Sequence, residues 1–109
     1  MKTLPTSFIK NGFAFTQLYR DGRVAVFEKS KPGHRRSHYE TVVIQEHKPR
    51  VMAGVDIPAA EGLPSSEQWG AKGWTFDTLE RAMVKARLLT AKEPNYAASF
   101  GGGVEQGFR

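Results

Sequence analysis

Four cations, Lys29, Lys31, Arg35 and Arg36, lie within residues 29–38, a stretch reading Lys-Ser-Lys-Pro-Gly-His-Arg-Arg-Ser-His with no acid in it. A guanidinium grips a phosphate or carboxylate through paired hydrogen bonds, and Ser30, Ser37 and His38 add further donors. These four side chains carry most of the excess in a chain whose formal net charge is +5. Pro32-Gly33 makes a turn, so they are expected to project from a loop rather than share a helix face. The chemistry this suits is contact with a polyanion, either a nucleic-acid backbone or the acidic surface of a protein.

Arg20 and Arg23 extend the set. They flank Asp21-Gly22, and a two-residue turn there would set them opposite each other. Facing cations repel, and an anion would relieve them. Trp69 and Trp74, with Lys72 between them and Phe76 beyond, offer rings on which nucleobases stack. Two rings directly before a helix more usually pin it to the core. Arg81, Lys85 and Arg87 add helix charge that Glu80 dilutes.

Other chemistries find less support. The chain has no cysteine, which excludes disulfides, thiolate catalysis and cysteine-ligated zinc. His34 and His38 are four apart, but Pro32-Gly33 before them and a strand after deny them a shared helix face. Two arginines between them would repel a cation, so no metal is expected. Asp56, Glu61 and Glu67, with His47 nearby, form no local catalytic signature. Gly101-Gly102-Gly103 lacks the preceding strand and the following Lys and helix of a phosphate loop. The expectation is a non-enzymatic protein without a cofactor.

The elements that must position these groups are legible in outline. A chain of 109 residues, 39% hydrophobic, is one domain. Residues 1–11 read as a loose lead-in. Residues 12–20 and 23–29 alternate as two strands around Asp21-Gly22. That register pairs Arg20 with Arg23, Tyr19 with Val24 and Gln17 with Val26. It gathers Phe13, Phe15, Tyr19, Val24 and Val26 on a core face. Leu18, Ala25 and Phe27 are left on a half-solvated face that could take a partner. Residues 39–46 make a third strand, apolar on both faces and therefore central. Residues 50–56 suit a short edge strand, and residues 57–73 an ordered loop pinned by Trp69 and Trp74. Thr75 as N-cap and Asp77 in the first turn open a helix with the stripe Phe76, Leu79, Ala82, Met83, Ala86 and Leu89, which Pro94 stops.

The fold class expected is α+β: an antiparallel three- to four-stranded meander with one C-terminal amphipathic helix packed on one face. It would span residues 1–94 as a single domain, with residues 95–109 a flexible Gly-rich tail.

The order Asn11-Gly-Phe, Asp21-Gly-Arg-Val-Ala-Val-Phe-Glu-Lys, Tyr39-Glu-Thr-Val-Val-Ile, Pro64-Ser-Ser-Glu-Gln-Trp-Gly and Gly73-Trp-Thr-Phe, followed by a helix, resembles small proteins of bacteriophages and prophages. The likeness covers about residues 8–89 and brings no catalytic residue. It implies a genetic setting in which small proteins bind nucleic acid or block a host protein.

The leading expectation is a binding module that holds nucleic acid through backbone phosphates. Arg20, Arg23, Lys29, Lys31, Arg35 and Arg36 would make the contacts, with Trp69 or Trp74 stacking. The alternative is a protein–protein or inhibitor module that sets the basic loop or the open sheet face on an acidic host protein. An unpaired strand edge would allow self-association. No apolar run suits a signal peptide or a membrane helix, so a cytoplasmic setting without membrane contact is expected.

Overall fold

In the computed structural model, which describes residues 2–92, β1 (Ser7–Lys10), β2 (Phe13–Asp21), β3 (Val24–Ser30) and β4 (His38–Val43) follow one another in a sheet as they do in the chain. The chain then makes a two-stranded arm. β5 (Gln45–His47) pairs with β8 (Ala60–Gly62), and β6 (Arg50–Met52) pairs with β7 (Val55–Ile57) inside it. Pro49 and Pro58 lie between the two ladders, where their missing N–H groups interrupt the pairing. β9 (Gly73–Phe76) returns to the main sheet beside β4, and α1 (Leu79–Lys92) follows. The result is a five-stranded antiparallel sheet with one helix, an α+β layout.

Both sheet faces are covered. On one, Ala82 and Ala86 of α1 pack on Val24 and Val26, with Tyr19, Tyr39, Phe76, Met83 and Leu89 around them. Thr41 donates its hydroxyl to the Ala82 carbonyl at 2.7 Å, which satisfies a buried polar group and ties helix to sheet. On the other, Phe15, Ala25, Phe27, Val42 and Ile44 form a second cluster, capped by Leu4, Phe8, Phe13 and Leu63. Phe8 stacks on Phe15 with centroids 5.0 Å apart. The half-open face expected from the sequence is therefore closed, and Phe27 is fully buried.

The cause is a bulge. Gln17 pairs with Phe27 and Tyr19 with Val26, so Leu18 is an extra residue in β2. One inserted residue inverts the alternation beyond it. Phe13 and Phe15 consequently face away from the helix, while Tyr19, Val24 and Val26 face it. The turn also shifts by one residue. Asp21 pairs with Val24, so Gly22 and Arg23 form the turn and Gly22 takes the positive φ of 63°. Arg20 lies opposite Ala25 rather than Arg23.

Further boundaries differ: the strand expected over residues 39–46 breaks at Ile44 into β4 and β5, and the loop expected over residues 57–73 contains β8. Residues 7–10 are a strand rather than a lead-in, because Asn11 and Gly12, at φ 54° and 81°, turn β1 onto β2. Residues 50–57 are a hairpin on the exposed arm, not an edge strand of the main sheet. Thr75 and Phe76 belong to β9, and the helix is capped by Thr78, whose Oγ1 accepts the Arg81 N–H at 3.2 Å. Pro94 and the Gly-rich tail lie outside the described residues. Among the described residues no helix is long and apolar enough to cross a membrane.

Candidate functional site

The six cations singled out in the sequence divide between the two ends of β3. Seven residues of strand span roughly 20 Å, so they form no single patch. At one end the Arg20 guanidinium is bound to Glu61 through two parallel hydrogen bonds of 2.9 and 2.8 Å. Arg23 donates from Nε to the Ile44 carbonyl at 3.3 Å. Both arginines thus serve packing at this end, and the expected repulsion between them does not arise.

At the other end β3 and β4 are joined by the basic loop, and the β1–β2 turn lies beside it. A methyl group on Gly12 would touch Lys31 Cε at 3.9 Å. Lys29 lies opposite His38 and donates to Glu40 Oε2 at 3.2 Å. Its ammonium also stands over the rings of Phe13 and Phe15, 4.5 and 5.7 Å from their centroids. Lys31 is exposed and approaches the Phe13 ring at 5.2 Å. His34 meets the same ring edge-on at 6.4 Å. Phe13 therefore anchors the base of the loop, and Arg35 and Arg36 follow His34 into solvent. Among the described residues no carboxylate pairs with Lys10, Lys31, Arg35 or Arg36.

Next to this end lies a groove of about 460 Å³ on the sheet face away from the helix. Phe13, Phe15 and Leu63 line it, with Trp69 across from them and Lys10 at the mouth. Its floor is a polar chain. Trp69 Nε1 donates to Thr75 Oγ1 at 3.3 Å, and the Thr75 hydroxyl donates to Glu40 Oε2 at 3.4 Å. Glu40 is 5% exposed, and its charge is met by Lys29. An unpaired carboxylate at that depth would be costly; paired and hydrogen-bonded, it leaves a floor with donors and acceptors but little net charge.

Trp69 is positioned by the turn that precedes it. Ser65 donates its N–H to Gln68 Oε1 at 2.9 Å, and Gln68 Nε2 donates to Gln45 Oε1 at 3.3 Å. Gly70, at φ 91°, folds the chain back so that its N–H reaches the Gly73 carbonyl at 2.7 Å. The six-membered ring of Trp69 then lies directly on Gly73, where any side chain would collide with it.

Trp74 is elsewhere. It lies opposite Thr41, on the helix face, with the Lys85 ammonium 4.1 Å from its ring centroid. The two tryptophans therefore do not make one platform: Trp69 belongs to the groove and Trp74 to the helix packing. The histidines also separate: His34 lies on Phe13, His38 is 3.7 Å from Asp77, and His47 covers Gly62.

Sequence reasoning missed Lys10, Glu40 and Thr75 as members of this site. The Asn11-Gly12 pair between two apolar runs was the available signal for Lys10, since it marks a hairpin as firmly as Asp-Gly does. Nothing local marked Glu40 or Thr75. Searches with the chain match no protein-family model, no curated protein and no solved structure.

Proposed function

We propose that this chain is a nucleic-acid-binding module that holds backbone phosphates at the end of the sheet where the β1–β2 turn meets the basic loop. The observation that carries this reading is the placement of Lys10, Lys31, Arg35 and Arg36 together at that end, with no carboxylate paired to them among the described residues. Lys29 contributes less, because Glu40 neutralises it. Arg20 and Arg23, at the far end, take no part. Cations held apart from acids concentrate a field that attracts a polyanion and release its counterions on contact.

The test is fluorescence anisotropy with a labelled oligonucleotide between 50 and 200 mM salt. Four phosphate contacts correspond to a slope of roughly −3 in log K against log salt. The double substitution Arg35→Ala with Arg36→Ala should reduce that slope by about 2 and weaken binding at low salt. Unchanged binding by this variant would remove the proposed contact surface.

A specific observation favours a second reading, a protein–protein module. The arm formed by β6 and β7 exposes Val51, Met52 and Val55. The version that used an open sheet face has no such face to use, since Phe27 and its neighbours are covered.

A further inference from the structure

The groove adds something that phosphate contacts alone do not require. We infer that it takes one unpaired nucleobase, so that the module selects single-stranded over double-stranded nucleic acid. This rests on the phosphate-binding reading above.

Three features of the groove match such an occupant. Its size is that of a small-molecule site, about 460 Å³. One wall is Trp69, which keeps 38% of its surface exposed while its ring rests on Gly73. A flat ring of any sequence can stack there, because every base has a π-face. The floor offers both halves of a base-edge contact: the Lys29 ammonium, which has N–H groups beyond the one given to Glu40, as donor, and the Glu40 carboxylate as acceptor. Both hydrogen bonds that Glu40 accepts from Lys29 and Thr75 fall on Oε2, which leaves Oε1 for a ring N–H on the base, such as the N3–H of thymine or uracil.

Charge separates a nucleotide from other flat molecules. Lys29 and Glu40 cancel in formal charge within the groove, so a neutral ring meets little net charge there. The uncompensated cations begin at the mouth with Lys10 and continue to Lys31, which shares the Phe13 ring with Lys29. A base inserted over Trp69 would therefore carry its flanking phosphates onto the cationic rim. A paired base cannot enter, since its edge and both faces are already occupied in the duplex.

The experiment compares a 12-nucleotide oligo(dT) or oligo(U) with a duplex of the same length and with the mononucleotide dTMP. Trp74→Phe leaves Trp69 as the reporter ring. Single strands of either sugar should quench Trp69 emission and bind at least tenfold tighter than the duplex. The mononucleotide, lacking a second phosphate contact, should leave emission unchanged at the same concentration. Trp69→Ala, with its folding checked by circular dichroism, should lose roughly tenfold or more in affinity for the strand and nothing for the duplex. Equal binding of strand and duplex without quenching would overturn the base-binding inference while leaving phosphate binding intact. Quenching by dTMP equal to that by the strand would overturn the assignment to a strand. Failure of strand and duplex alike to bind at 50 mM salt would overturn the underlying reading as well.

Discussion

The guanidinium of Arg20 lies against the carboxylate of Glu61 in a two-pronged contact, Nη1 to Oε1 at 2.9 Å and Nη2 to Oε2 at 2.8 Å. The Leu4 N–H adds a third hydrogen bond to Oε1 at 3.0 Å. Arg20 is on β2, Glu61 on the arm and Leu4 in the segment before β1, so one carboxylate joins three distant parts of the chain. Lys2 reinforces the junction by backbone bonds to Ala59 and Glu61.

Removing either partner should therefore destabilise the protein far more than removing an exposed cation. The Glu61 side chain is 3% exposed and that of Arg20 is 25% exposed. Arg20→Ala would leave a buried carboxylate without its cation, at a cost of about 3 kcal/mol, the low end for breaking a buried pair because Arg20 is partly solvated. Arg35→Ala, at an exposed tip, should cost less than about 0.5 kcal/mol. Urea denaturation of the two variants distinguishes them. Equal stability would mean that the Arg20–Glu61 pair holds nothing together.

The same pair sets an acid limb. The Arg20 hydrogen bonds hold the Glu61 carboxyl below the ordinary carboxylate range, against the opposing effect of burial; the Leu4 N–H and the charges of Arg20 and Arg23 help. A carboxyl whose pKa is lower folded than unfolded stabilises the fold above the unfolded value, about 4.3. That contribution is lost as pH falls through the folded value. Glu61→Gln should thus be markedly less stable than the parent at pH 7. The gap should narrow as pH drops below about 4. Melting temperatures of both proteins between pH 7 and 3 measure it, and a constant gap would contradict the assignment.

Gly73→Ala should disturb the groove without straining the backbone, since Gly73 is not in the positive-φ region. A Cβ there would fall 2.6 Å from Trp69 Cε3 and 2.9 Å from Cη2. The ring must move, and with it the Nε1 hydrogen bond to Thr75. The expected cost is about 1–3 kcal/mol, as for other overpacked sites. In a Trp74→Phe background the emission of Trp69 should shift to the red. An unshifted spectrum would show that the ring does not rest on Gly73.

Phe27 and Leu18 offer a direct check on the inverted face. Phe27 is fully buried, whereas Leu18, at the bulge, is 44% exposed. Phe27→Ala should cost about 3–5 kcal/mol, and Leu18→Ala less than about 1 kcal/mol. Without the bulge both side chains would share one half-solvated face and lose similar, smaller amounts. Chemical denaturation of the two variants decides between these arrangements.

Much of the fold was legible because its signals are local. Alternating aromatic and β-branched residues mark β2, β3 and β4, and the run around Asp21-Gly22 marks a hairpin, although the turn itself falls one residue later. The stripe of Ala82, Met83, Ala86 and Leu89 marks the helix face. Pro32-Gly33 in a cationic run marks an exposed loop, and Arg35 and Arg36 are exposed there. A single extra residue defeats this kind of reading. Leu18 belongs to no pattern that distinguishes a bulged strand from a regular one, yet it decides which face Tyr19 occupies.

By itself the sequence determined the class of fold, the position of the basic loop and the presence of a charge excess, because composition and periodicity are properties of neighbours along the chain. Only the tertiary structure decided which cations remain unneutralised and which tryptophan meets the groove. Arg20 and Glu61 are 41 residues apart, and Lys29 and Glu40 are 11 apart. Electrostatic pairing depends on distance in space, and the packed sheet brings those charges within hydrogen-bond reach.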